Sequence, residues 1–246
     1  MPRTHKTLPR LFIDKDMSAG LRIDLDKAQT NYLVNVLRRG AGDRCVVFNG
    51  RDGAFLAGIE GASKKTVTLT LLEQSAAQTP PSDLWYGFAP IKRLDYIVQK
   101  ATEMGAGTIQ PVITRYVQNP RVNQAKLEAN AIEAAEQCEV LSVPRIAPAI
   151  AFSQLIETWG EVHGDRALVF GDEESASSSP VDTLAGLEGR RIGLIIGPEG
   201  GFAPEERDML RAQPYVTPIS LGPRILRADT AAVAAMALIQ AIAGDW

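Results

Sequence analysis

Two short stretches of this 246-residue chain bring together side chains able to act in concert: IIGPEGGF (Ile195–Phe202), which carries Glu199 among glycines, and LGPRILRADT (Leu221–Thr230), which carries Arg224, Arg227 and Asp229. Arg224 and Arg227 flank Ile225 and Leu226 at what reads as a helix start. Guanidinium groups beside an apolar helix start are costly unless they meet an acid, a phosphate or the edge of a base. One reading is therefore local: Arg227 pairs with Glu199 or Asp229 and pins two loops. The other is a ligand loop, in which Gly197, Gly200 and Gly201 let a bound molecule approach the backbone. A phosphate is a poor guest. Both the Gly-Lys-Ser/Thr end of a phosphate loop and the G-x-G-x-x-G dinucleotide pattern are missing, and Glu199 sits in the middle.

Other chemistry is scarce. His5 and His163 are the only histidines, which argues against a His-based triad or a multi-His metal centre and predicts no metal. Cys45 and Cys138 stand far apart, as reduced thiols do. The N-terminus has basic residues but no apolar signal core, and no apolar run approaches a membrane span, so the expectation is a cytoplasmic protein without membrane contact.

The elements that must position these groups change character along the chain. RLFI (Arg10–Ile13), RCVVFNG (Arg44–Gly50), GAFLAGIE (Gly53–Glu60) and TVTLTLLE (Thr66–Glu73) read as strands, with NGRDG as a hairpin turn. Between them Asp26 can cap a helix whose apolar residues Tyr32, Leu33, Val36 and Leu37 recur at helical spacing, ending at Arg38, Arg39 and Gly40. This predicts a small β-barrel-like domain over 1–73. The polar, proline-bearing segment 74–83 reads as a linker. From 84 to 246, apolar strands alternate with helices, the pattern of an α/β domain with a largely parallel sheet. In such sheets ligands sit at the carboxyl ends of strands, and three of those ends carry Gly: VFGDEE, IIGPEGG and SLGPRILRADT. Asp229 or Thr230 can cap a final helix that is apolar nearly all round, which predicts burial in the domain or against another subunit.

Charge divides at the linker. Residues 1–73 hold 12 Lys/Arg against 8 Asp/Glu, a net +4, and the remainder is −7. A basic attachment on an acidic protein is what binding to a polyanion requires, although +4 is also compatible with an ordinary solvated surface.

With IGPEGGF and LGPRILRADTA, preceded by QKATEMG (Gln99–Gly105) and AEQCEVLSVPRI (Ala135–Ile146), the chain resembles the RsmE family of small-subunit ribosomal RNA uridine methyltransferases, from Arg10 to the C-terminal helix. The resemblance implies a C-terminal SPOUT domain whose parallel sheet is threaded into a trefoil knot, and an N-terminal PUA-like domain that helps hold RNA. It implies a homodimer, S-adenosylmethionine as cofactor, and methylation at N3 of a uridine in the decoding region of 16S rRNA in the small subunit. Phe170, Gly171, Ile196, Gly197, Pro198, Glu199, Gly200, Gly201, Leu221, Gly222, Ile225, Leu226 and Arg227 would then line the cofactor site. The N3 nitrogen is mostly protonated at neutral pH, so catalysis needs in-line positioning with a proton acceptor or a cation that stabilises the uracil anion. Arg227 is the candidate for that cation; Glu199 and Asp229 are candidates for acceptor or Arg orienter. Lys6, Arg10, Arg38, Arg39, Lys92, Arg93 and Arg121 are candidates for RNA contact. Two departures from the family pattern stand out: Asp229 replaces a usual Glu, and Cys138-Glu139-Val140 replaces a frequent Ser-Gly-Arg. A competing reading is an RNA-binding protein that keeps the fold without catalysis; the intact glycine loops and Arg227 count against it. A dehydrogenase is disfavoured by the missing dinucleotide pattern.

Overall fold

The computed structural model describes residues 8–62, 66–172 and 179–246. Its contacts divide the chain into two units: the chain up to Pro81 together with Ala135–Val143, and Ser82–Ala134 together with Pro144–Trp246.

The first unit contains β1 (Arg10–Phe12), β2 (Arg22–Asp24), α1 (Lys27–Asn31), β3 (Arg44–Phe48), β4 (Ala54–Ala62) and β5 (Val67–Ala76). The strands form one curled sheet in the order β1-β3-β4-β5-β2. β3 and β4 pair antiparallel across the expected turn, with Phe48 opposite Ala54. Three-residue β2 is too short to show alternation and was not foreseen. Gln74–Ala76, expected to open a linker, instead complete β5. Period-2 alternation places Val67, Leu69 and Leu71 inside with Leu11, Ile23 and Val47.

Asp26 does cap the helix: its Oδ1 accepts from Gln29 N at 2.8 Å, and Asp26 N donates back to the Gln29 side chain. The expected single helix does not stay α. From Tyr32 to Val36 it widens into a π turn, which carries Leu33 into the core at 0% exposure. A second core in this unit packs Val46, Phe48 and Ala54 against Ala135 and Leu141.

The second unit contains β6 (Trp85–Phe88), α2 (Leu94–Glu103), β7 (Thr108–Ile113), α3 (Gln124–Cys138, whose last turn belongs to the first unit), β8 (Arg145–Ile146), β9 (Ile150–Ala151), α4 (Phe152–His163), β10 (Ala167–Gly171), α5 (Pro180–Ala185), β11 (Ile192–Ile196), α6 (Pro204–Arg211), β12 (Val216–Ile219) and α7 (Ala228–Ala243). The strands are parallel, in the order β12-β10-β11-β6-β7-β8, with β9 beside β7. One face of the sheet buries Phe152, Leu155, Ile156 and Trp159 of α4 against Trp85, Phe170 and Ile195. The rings of Trp85 and Trp159 meet edge-on at 5.0 Å. Gly193 makes room for them, since a Cβ there would come within 2.9 Å of Trp159 and 3.1 Å of Trp85. α7 packs against α2, α5 and β11.

β12 lies beside β10, although β11 precedes it in the chain. The chain therefore crosses back between β11 and β12, and the carboxyl ends of β10, β11 and β12 come together.

Candidate active site

Those three ends enclose a cavity of about 420 Å3. Phe170, Gly171, Ile196, Gly197, Pro198, Glu199, Gly201, Leu221, Gly222, Ile225, Leu226 and Arg227 all line it, so nearly every residue expected at the cofactor is brought to one place. Gly200 is the exception. It is exposed, and a Cβ on it would meet Tyr116 at 3.6 Å in ordinary contact. The tight turn depends on its neighbour: Gly201 N donates to Pro198 O at 2.8 Å, and Gly201 has φ +70, cheap for glycine alone. Just beyond it Phe202 is buried and meets Phe170 edge-on at 5.8 Å, which gives the cavity an apolar floor. The turn is anchored by a group not singled out in the sequence. Glu206 accepts from Ala203 N at 2.9 Å and from Arg115 N at 2.8 Å, so one carboxylate fixes the start of α6 and the segment after β7.

The local ion-pair reading of Arg227 does not hold. Arg227 is the N-cap residue of α7 through its backbone, with no side-chain cap, and its exposed guanidinium has no carboxylate within ion-pair distance among the described residues. Glu199 is likewise exposed at the cavity, without such a partner. Asp229 neither caps the helix nor meets Arg227. It lies in the first turn, its side chain 7% exposed, and accepts from Arg93 at 2.8 Å and from Thr230 N at 2.8 Å. The nearby Tyr86 hydroxyl is buried without a hydrogen-bond partner among the described residues. Burial, and then the Asp229 charge, push that phenol above its usual range.

Asp172, Arg207 and Arg211 were not foreseen. Asp172 and Arg207 line the cavity. Asp172 accepts from Arg211 through Nε at 2.9 Å and a terminal nitrogen at 2.5 Å, while Arg207 Nε lies 4.0 Å from its other oxygen. A signal was present: Asp172 directly follows the Gly-bearing strand end, and Arg207 and Arg211 are four apart on one helix face.

The basic residues expected at RNA separate into several environments. Lys6 lies outside the described residues. Arg10 is spent inside its own unit: its guanidinium sits 4.7 Å from the Phe48 ring centre and donates to Val140 O at 3.0 Å, and burial lowers its pKa. Arg93 is held by Asp229 and lies over Tyr96 at 4.6 Å. Arg38 is exposed with φ +54, Arg39 is half-buried, and Lys92 and Arg121 are exposed. Among the described residues no cluster of three or more His, Cys, Asp or Glu could hold a metal, and no helix is long and apolar enough to cross a membrane.

Comparison with known proteins places this geometry. Residues 78–240 match the model of an RNA methyltransferase domain, and residues 25–72 that of an RNA methyltransferase PUA domain. Ribosomal RNA small subunit methyltransferase E of Rickettsia conorii is 34% identical over 94% of each chain. The protein of that name from Bacillus subtilis is 27% identical over 86% of each. The crystal structure of ribosomal RNA small subunit methyltransferase E from Neisseria gonorrhoeae bound to S-adenosyl methionine is similar with a TM-score of 0.83 at 25% identity, over 97% of this chain and 99% of that one. With both of its domains matched and a relative above 30% identity across nearly its whole length, the chain belongs to the RNA methyltransferase family that includes ribosomal RNA small subunit methyltransferase E.

Proposed function

We propose that this protein transfers the methyl group of S-adenosylmethionine to N3 of a uridine in the decoding region of 16S rRNA, acting in the cytoplasm as a homodimer on the small ribosomal subunit. The observation that carries this reading is the cavity at the ends of β10, β11 and β12. Its volume of about 420 Å3 falls within the ~300–1,000 Å3 of small-molecule sites, and its wall joins apolar rings to exposed loop backbone. Those features fit an adenine ring and a ribose better than a polyphosphate. S-adenosylmethionine, when bound, supplies a methyl group activated by positive sulfur. Phe170, Ile196 and Phe202 would take the flat ring, with main-chain groups of Gly197–Gly201 and Leu221–Leu226 serving its polar edge.

Arg227 is an exposed cation on the wall, as stabilisation of a uracil anion requires, since an arginine already paired with a carboxylate would have little field to offer. Glu199 is the exposed carboxylate on the same wall and the better candidate for the N3 proton; Asp229, engaged by Arg93 and Thr230, has the work of holding α7. Ile225 is 89% exposed beside the cavity, apolar surface that a second copy would cover.

Methylation at N3 removes a Watson–Crick donor and blocks reverse transcription. Small subunits lacking the modification, incubated with protein and S-adenosylmethionine, are expected to give a primer-extension stop at one uridine. Binding of RNA with no stop and no transferred methyl would establish the non-catalytic reading instead.

A further inference from the structure

The segment between β7 and α3, residues 114–123, supplies nothing to the lining of the cavity described above. It holds Arg115 and Arg121 and no acidic residue, although residues 74–246 carry 14 Lys/Arg against 21 Asp/Glu. Both arginines are exposed, and neither guanidinium meets a carboxylate within ion-pair distance among the described residues. The backbone that presents them is fixed. Val117 N donates to Thr114 O at 3.2 Å and Arg121 N to Asn119 Oδ1 at 3.1 Å. Arg115 N donates to Glu206, whose carboxylate also holds Ala203 N, so the segment is tied to the far end of the turn that carries Glu199. Between the two arginines stands Tyr116, 46% exposed. The base of its side chain passes the bare backbone of Gly200, where an added Cβ would lie 3.6–3.9 Å from Tyr116 Cβ, Cδ2 and Cγ.

An isolated exposed tyrosine is ordinary. A ring set between two arginines that no carboxylate engages, in a stretch free of acids, is what a single nucleic-acid strand needs: bases stack on the ring and phosphates meet the cations. Gly197 and Gly201 line the cavity while Gly200 turns to Tyr116, so the ring lies on the outer flank of the turn. A base stacked there is outside the cavity and cannot be the one that receives the methyl group. Its neighbour in the strand can be. We infer that Tyr116 stacks on a base next to the target uridine, with Arg115 and Arg121 on the phosphates of the same strand. Turning a uridine out of its stack costs free energy, and a new stack beside it offsets part of that cost. This rests on the function proposed above.

The experiment measures dissociation constants of the full-length protein for two probes, unmethylated small subunits and protein-free 16S rRNA, beside methyl transfer to the subunits. Tyr116→Leu keeps apolar bulk and loses the ring. It is expected to weaken both probes about tenfold, the scale of one base–aromatic stack, while S-adenosylhomocysteine binds within about twofold, which shows that the variant is folded. Tyr116→Phe keeps the ring and should bind RNA within about threefold of wild type. Arg115→Gln should lower the slope of log Kd against log salt by about one, the mark of a lost phosphate contact. Tyr116→Trp, whose added emission 16S rRNA should quench by stacking, decides the matter if the Leu variant does not fold. Equal affinity of the Leu and Phe variants for RNA overturns the assignment. A loss confined to intact subunits would set a ribosomal protein against the segment and overturns it as well. Wild type that binds both probes and transfers no methyl overturns the function proposed above, and the contact then stands or falls on the same dissociation constants. Wild type that binds neither probe overturns both.

Discussion

Arg227 and Asp229 are two residues apart, yet the fold gives them different work. Arg227→Ala should lower single-turnover methyl transfer by about 10²–10³-fold, the effect of removing one preorganised charge donor, while affinity for S-adenosylmethionine changes little. Asp229→Asn removes a carboxylate that meets Arg93, whose side chain is 56% exposed. Water can replace much of that contact, so methyl transfer should persist and the unfolding free energy should fall by about 1 kcal/mol. Loss of transfer in Asp229→Asn with the fold intact would return Asp229 to the chemistry. Glu139 is a residue-scale cost of a different kind. It follows α3 at φ +65, a left-handed backbone that glycine adopts at least cost. Relief of left-handed strain is worth about 1 kcal/mol, so Glu139→Gly should raise the urea midpoint by the corresponding amount.

At the scale of elements, the turn between β11 and α6 depends on one of its glycines more than the other. Gly201→Ala is forced into positive φ and should weaken S-adenosylmethionine binding by about tenfold if it costs the ~1–2 kcal/mol of a left-handed residue. Gly200→Ala points towards Tyr116, away from the cavity lining, and should bind as wild type does; titration of both variants separates the two. α4 carries a pH response at its last residue. His163 packs against Trp159 with ring centres 4.2 Å apart and planes tilted by 36°, and lies near Arg166, Arg191 and Arg145; burial first, and then those charges, lower its pKa from 6.5 to about 4. Between those values the unfolded chain takes up a proton that the folded one refuses, so stability is full above about pH 6.5 and falls as the pH drops towards 4. His163→Gln should flatten that part of the profile in urea titrations at pH 7 and pH 5.

For the whole molecule, the chain's return to its first unit matters most. Ala135–Val143 supply Ala135, Leu141, Val140 and Val143 to the core around Phe48, and Glu136 accepts from Phe12 N at 2.8 Å. Leu141→Ala should therefore destabilise the unit built on the N-terminal sheet by about 2–4 kcal/mol. A fragment ending at Pro81 should bind a hydrophobic dye and unfold without a sharp transition; a cooperative, dye-free fragment would show that the returning segment is dispensable.

What was legible in the sequence was local. The Asp26 cap, the β3–β4 turn, the alternation in β5 and the three glycine-bearing strand ends all follow from backbone preference and burial period within a few residues. The glycine-bearing strand ends around the cavity were readable from their residues, whereas the individual lining residues were named only through the family resemblance. Partnership was not readable in the same way. Arg93 meets Asp229 across 136 residues, Arg10 meets Val140 across 130, and Asp172 meets Arg211 only because β10 lies between β11 and β12. A window of sequence records what each residue prefers. Which distant charges and cores satisfy one another depends on strand order and on the chain's return, and packing decides those together.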